Sequence, residues 1–222
     1  LILGTFLIIK DHTKWSVKGG KNKMSAINSK EYWDYRFEND WEKRGGLIQT
    51  RAFIQLMINH LPDSVIDYLD SRRVTVLDWG CGIGVGVKEF AERFKKASVA
   101  GLDFSDVAIE KSKELFPQFE FIAGSLDTHR KRYDVIYSSN CLEHFKDPYP
   151  WMKQILSYTN KYAIFLVPYN EKIKEYDEHM FSFTEKSFYP KFYGFNKIFE
   201  KVIDECPNCW AGQQILVIYK KH

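Results

Sequence analysis

Asp78-Trp79-Gly80-Cys81-Gly82-Ile83-Gly84-Val85-Gly86 is the stretch on which the fold turns. It follows Val74-Thr75-Val76-Leu77, a β-branched run that reads as a buried strand ending at a carboxylate. Glycines at alternate positions directly after a strand let the backbone turn tightly and approach a ligand where a Cβ would collide. The N-terminus of the helix that follows faces the same spot. The stretch therefore reads as a ligand-binding loop. It is not a dinucleotide fingerprint: counted from Gly80 the sixth position of G-x-G-x-x-G is Val85, and counted from Gly82 it is Val87.

Downstream the pattern alternates. A helix is expected over 88–96, a strand over 99–103, a helix over 106–115, strands over 119–122 and 134–138, a helix over 151–158 and a strand over 162–167. Such alternation predicts an α/β, Rossmann-like, doubly wound fold, with a mostly parallel sheet covered by helices on both faces. The last third reads as two strands, 195–203 and 213–220, around Cys206-Pro207-Asn208-Cys209. This antiparallel C-terminal hairpin brings the expected sheet to seven strands. Upstream, one N-terminal helix begins at Ser29, with Tyr32, Trp33, Tyr35, Arg36 and Phe37 crowded before Trp41. A second runs through Leu47, Phe53, Ile54, Met57 and Leu61 after the Gly45-Gly46 break. No internal repeat or low-complexity linker is visible, so 28–222 is expected to be one domain and 1–27 a leader or accessory segment. The first nine residues are apolar, about half of what a membrane-spanning helix needs, and no membrane anchor is expected from them.

Gly101-Leu102-Asp103-Phe104-Ser105 ends the second strand. Asp103 stands 25 residues after Asp78, near the interval of about 20 expected of a ribose-binding carboxylate, and Phe104 is placed to cover an adenine. Asp78 would oppose a pyrophosphate and suits a ligand with a cationic amino group and no phosphate, as S-adenosylmethionine is. On Asp78, Gly80, Gly82, Gly84 and Asp103 the sequence resembles the class I S-adenosylmethionine-dependent methyltransferases, over about residues 28–220. It is similar to the small-molecule types: quinone O-methyltransferases and enzymes of bacterial surface-glycan or secondary-metabolite clusters. The resemblance implies S-adenosylmethionine as cofactor, held by Asp78, Gly80, Cys81, Gly82, Gly84, Asp103 and Phe104. It also implies methyl transfer to a small polar acceptor, with S-adenosylhomocysteine released.

Two further segments take their reading from that resemblance. In Ile122-Ala123-Gly124-Ser125-Leu126-Asp127, Ser125 stands where an acidic residue commonly meets the adenine amino group, and Leu126 offers a backbone amide. Asp127 is either a substitute for the acid or part of a turn. In the strand that ends Ser138-Ser139-Asn140 and continues Cys141-Leu142-Glu143-His144-Phe145, Ser139 and Asn140 are candidate cofactor contacts at the carboxyl end of the sheet. Leu142-Glu143-His144 followed by Asp147-Pro148 resembles the small-molecule enzymes. The Asp/Asn-Pro-Pro-aromatic run of nucleic-acid amino methyltransferases is absent. His144 is a candidate general base oriented by Glu143, or a structural histidine beside the cofactor. Quinone-type enzymes place an acid three positions before the Glu to help bind a divalent metal; Asn140 stands there, so no metal is expected. His179, in an insertion after the strand over 162–167, is a second candidate base, or a solvated loop residue. Tyr32 and Arg36, with Trp33, Tyr35 and Trp41, are read as capping the cofactor, Arg36 or Arg51 facing the methionine carboxylate and rings facing the sulfonium, or as helix packing.

Composition sets the frame. Among 222 residues, 32 Lys+Arg against 29 Asp+Glu leave +3, too mild for a dedicated nucleic-acid binder. A hydrophobic share of 45% with 27% charged excludes wholesale disorder and fibrous repeats. Cys81 and Cys141 stand alone. The pair Cys206 and Cys209 reads as a turn, being half of a four-ligand zinc site, so a reducing, cytoplasmic compartment is expected. A monomer or homodimer acting on a small molecule is the partner expectation. Nitrogen or carbon methylation would use the same loop, and Ser125 and Asn140, both neutral, keep open a non-catalytic S-adenosylmethionine-binding partner protein.

Overall fold

The computed structural model describes residues 26–173, 178–204 and 212–222; the leader expected over 1–27 falls almost wholly outside these, as does the Cys206 to Cys209 turn. In chain order the elements are α1 (Lys30–Asn39), α2 (Gly46–Asn59), α3 (Asp63–Ser71), β1 (Thr75–Trp79), α4 (Val85–Arg93), β2 (Ser98–Asp103), α5 (Asp106–Leu115) and β3 (Glu120–Ala123). After these come α6 (Leu126–His129), β4 (Tyr133–Ser139), α7 (Tyr149–Tyr158), β5 (Thr159–Pro168), β6 (Lys191–Phe192), β7 (Phe195–Ile203) and β8 (Gln214–Lys221).

Strand periodicity sorts the core into two layers. Val76, Val135, Tyr137, Ile164 and Leu166 point to one face, where they pack with Phe53 and Met57 of α2, Leu69 of α3 and Phe90 of α4. Their neighbours Leu77, Ile136, Phe165 and Val167 point to the other, against Met152, Ile155 and Leu156 of α7. Strands buried on both faces read as continuous apolar runs, which is why the alternation of elements was visible in the sequence while alternation within each strand was not.

The strand order is β3-β2-β1-β4-β5-β8-β7-β6. β1 to β5 pair in parallel, β8 runs antiparallel to β5, and β7 and β8 form the expected hairpin. The seven expected strands are joined by the two-residue β6 at the edge. The order reverses between β1 and β4, and the carboxyl ends of those strands open the crevice where doubly wound sheets bind ligands. Two boundaries differ from expectation. Helix α4 begins at Val85 because Gly84, at φ +84°, is its N-cap, and α6 replaces an expected loop because Ser125 and Thr128 cap each other. No helix among the described residues is long and apolar enough to cross a membrane.

Candidate active site

The glycine loop is pinned from β2. Gly80 N–H and Cys81 N–H both donate to the Leu102 carbonyl, at 2.8 and 3.1 Å, and Gly82 N–H donates to Asp103 Oδ2 at 2.9 Å. Gly80 sits at φ +82°, and a Cβ there would lie 2.5 Å from Cys141 Sγ, so side chains are excluded on both counts. Asp78 lies under the loop. A Cβ on Gly86 would collide with its Oδ2, which is why the first turn of α4 can settle so close to β1.

Above the loop lies a cavity of about 360 Å³. Its walls come from Gly80, Cys81 and Gly82 of the loop, Asp103 and Phe104 after β2, and Ser139 and Asn140 after β4. The roof is aromatic: Trp33, Phe37 and Trp41 contact one another with centroids 5.1 to 6.2 Å apart. Helix α1 carries Trp33 and Phe37, Trp41 follows just after it, and the helix is tied on both sides. Ser105 Oγ donates to Asp34 at 2.6 Å, while Asn28 Nδ2 donates to the carbonyls of His144 and Glu178 at 3.0 and 2.6 Å.

Most of the residues singled out in the sequence converge here. Arg36, Gly80, Cys81, Gly82, Asp103, Phe104, Ser139 and Asn140 line the cavity, as do His144 and His179. Others do not. Asp78 lies under the loop at the end of β1, and Gly84 caps α4 and faces Phe121. Ser125 caps α6 and Leu126 is fully buried beside it; Asp127 is engaged by Gln154 and Tyr158 of α7. The Tyr32 hydroxyl donates to Glu178 Oε1, and Arg51 pairs with Glu89 at 2.8 Å. The sequence reading missed Arg44, Gln49, Thr50 and Glu178, which also line the cavity. Nothing local marks them, since they reach the site only through the packing of α1 and α2 and of the loop after β5.

Arg36 forms an ion pair with Glu178. His144 donates its Nδ1 hydrogen to the Glu178 carbonyl at 3.0 Å and packs edge-on against Trp33 and His179, at 4.9 and 5.0 Å. Burial pushes its pKa down to about 3. His179 Nδ1 meets Glu171 Oε2 at 2.6 Å. Burial works against its charge, but the Glu171 hydrogen bond and the charges of Glu143, Glu171 and Glu178 outweigh that and hold its pKa above the ordinary value. Glu143 is 1% exposed, neither carboxylate oxygen has a hydrogen-bond partner among the described residues, and burial raises its pKa to about 7.

Burial also raises Asp78 to about 8 and Asp103 to about 6, the latter against the pull of the Ser105 and Gly82 N–H groups. A carboxyl whose pKa is higher folded than unfolded keeps its proton in the native state after the unfolded chain has lost it. Its contribution is whole below the ordinary 3.8 and drains away up to the folded value. The melting temperature of the ligand-free protein is therefore expected to fall from pH 5 to pH 8. Asp78→Asn should flatten the upper part of that slope, which amounts to about 1.4 kcal/mol per pH unit for each such group. Thermal melts at three pH values check this; an identical slope in the variant would mean that Asp78 is ionised in the fold.

Comparisons with known proteins bear on the fold and the family. The ubiquinone biosynthesis O-methyltransferase of Nitrosomonas europaea is 37% identical over 116 residues, 49% of this chain and 47% of that protein. The trans-aconitate 2-methyltransferase of Deinococcus radiodurans is 33% identical over 73 residues, 32% of this chain and 28% of that protein. The chain thus spans less than half the length of these curated relatives. Magnesium protoporphyrin IX methyltransferase from Synechocystis, crystallised with bound SAM, superposes with a TM-score of 0.63 at 15% identity, covering 90% of this chain and 100% of that one. At that identity the likeness is one of fold. A family model described as a methyltransferase domain matches residues 32–189, from α1 through the loop after β5. That match takes in more than half of the chain together with the glycine loop, Asp103, His144 and His179, and the chain belongs to the methyltransferase domain family.

Proposed function

We propose that this chain transfers a methyl group from S-adenosylmethionine to an oxygen of a small polar acceptor, such as a sugar, a phosphate-containing metabolite or a phenol. The observation that carries the reading is Asp103. Its carboxylate lies on the cavity wall, with Oδ2 accepting from Gly82 and Oδ1 from Ser105, both at 2.9 Å. Each carboxylate oxygen keeps a further lone pair, capacity that suits the two hydroxyls of a ribose. The cofactor's fit rests also on the Gly80 cradle, which any Cβ would fill. Phe104, 40% exposed beside Asp103, offers a face to the adenine. Arg36 has five donors, so it can serve a methionine carboxylate while still holding Glu178.

When bound, S-adenosylmethionine supplies a methyl group already activated by its sulfonium. What remains for the protein is alignment, worth about 7–11 kcal/mol when the reacting atoms are well oriented, and handling of the acceptor's proton. Glu143, His144 and His179 are clustered titratable side chains on the wall formed after β4 and β5, and they are assigned to the acceptor. Oxygen is favoured because two curated relatives, the ubiquinone enzyme and a malonyl-[acyl-carrier protein] enzyme of Ilyobacter polytropus, are named O-methyltransferases. Calorimetric titration of the purified chain with S-adenosylmethionine, S-adenosylhomocysteine and NAD tests the reading without knowledge of the acceptor. Binding of the first two and none of NAD is expected. Silence toward both sulfur ligands would overturn the proposal.

A further inference from the structure

The carboxylate of Glu143 poses a problem that hydrogen bonding among the described residues does not solve. It is 1% exposed, yet neither oxygen has a hydrogen-bond partner among them, and a buried carboxylate left so costs several kcal/mol unless a proton, a water or an ion meets it. Two imidazoles stand beside it. The donor atoms of Glu143, His144 and His179 all lie within 4.8 Å of one another, and all three side chains line the cavity. Each imidazole is oriented through Nδ1. His144 donates that hydrogen to the Glu178 carbonyl, which makes Nε2 the lone-pair nitrogen. His179 uses Nδ1 on Glu171, with Nε2 turned toward Glu143 at 4.0 Å. An imidazole whose second nitrogen is fixed by a carboxylate or a carbonyl is the arrangement that metal-ligating histidines use.

We propose that Glu143, His144 and His179 bind one divalent transition-metal ion of the zinc class, with Glu171 and the Glu178 carbonyl orienting the two imidazoles. Two imidazoles and one carboxylate are a donor set that zinc accepts while keeping a position open. Donors about 2.0–2.2 Å from one ion sit about 3–3.5 Å apart, so the three side chains need move only on the scale of a rotamer adjustment. The expectation of no metal rested on Asn140; the structure supplies a different donor, His179, from the loop after β5, and Asn140 takes no part. All three side chains line the cavity, so an ion held by them would be within reach of an acceptor oxygen and would lower the pKa of its hydroxyl, the proton passing to solvent. That last step rests on the transferase reading above, whereas the site itself does not.

The test is calorimetric titration of the chelator-stripped full chain with zinc chloride, with S-adenosylhomocysteine binding and circular dichroism as controls on folding. One equivalent of zinc is expected to bind, with binding lost in Glu143→Gln and in His179→Ala. The milder Glu171→Gln should weaken it by about 10–100-fold. Cobalt substituted at the site should show no thiolate charge-transfer band, and Cys206→Ser with Cys209→Ser should leave uptake unchanged. No uptake by the wild type overturns the site, as does uptake that survives Glu143→Gln and His179→Ala or is lost with the cysteines. Methyl transfer that persists without zinc uptake would remove the site and leave the transferase reading standing. Zinc uptake by a protein inert to both sulfur ligands would do the reverse.

Discussion

Asp103→Ala is expected to weaken S-adenosylhomocysteine binding by at least about 100-fold. The carboxylate is 5% exposed, lies on the cavity wall and is the acceptor assigned to both ribose hydroxyls. Hydrogen bonds to a charged group are worth about 1.5–3 kcal/mol each. Losing two removes about 3–6 kcal/mol, and each 1.4 kcal/mol is a factor of ten. The same substitution strands the Gly82 and Ser105 N–H groups, which now donate to Asp103 at 2.9 Å, so the variant should also melt lower. The two effects separate by titrating well below the melting temperature, with circular dichroism to confirm the fold. Affinity within about threefold of wild type in a folded variant would mean that the ribose sits elsewhere and that Asp103 serves only to pin the loop.

The contrast between Asp103 and Asp78 shows how far the sequence could be read. Both are acids at the end of a strand, and spacing alone ranks them together as cofactor contacts. The backbone separates them: Gly86 brings α4 down onto Asp78, while the turn at Phe104 leaves Asp103 on the cavity wall. The strand and helix alternation was legible because parallel strands buried on both faces are unbroken apolar runs. The glycine loop was legible because Gly80 and Gly84 combine positive φ with neighbours that a Cβ would strike, which leaves glycine the fitting residue. Glu178 and Glu171 were not. Glu178 acts through contacts with Arg36 and Asn28, distant in the chain, and Glu171 through a histidine that only the folding of the insertion brings back to it. Glu143 was seen only as a possible partner of His144. In the fold its backbone carbonyl accepts from Met180 and Phe181 at 2.7 and 3.1 Å, which ties down the loop after β5 and brings His179 as well as His144 beside its carboxylate. Ser125 was readable as a departure from the family's acid. The sequence did not reveal that it would spend its side chain capping α6.

His179→Ala carries the second large effect. At saturating S-adenosylmethionine, turnover is expected to fall by about 10²–10⁴-fold, the range associated with help in removing the acceptor's proton, which the cluster of Glu143, His144 and His179 would give. Affinity for S-adenosylhomocysteine should stay within about twofold, because the ribose and adenine contacts assigned to Asp103 and Phe104 lie after β2, on a different element from the loop that carries His179. The comparison that gives the number meaning is Tyr32→Phe. Tyr32 also reaches this corner through Glu178, but its ring does not line the cavity, so its loss should change turnover by only a few-fold. Single-turnover measurements with a labelled methyl group separate the chemical step from product release. If His179→Ala and Tyr32→Phe slow that step equally, the effect belongs to the packing of the loop against α1, and the cluster around Glu143 has no part in activating the acceptor.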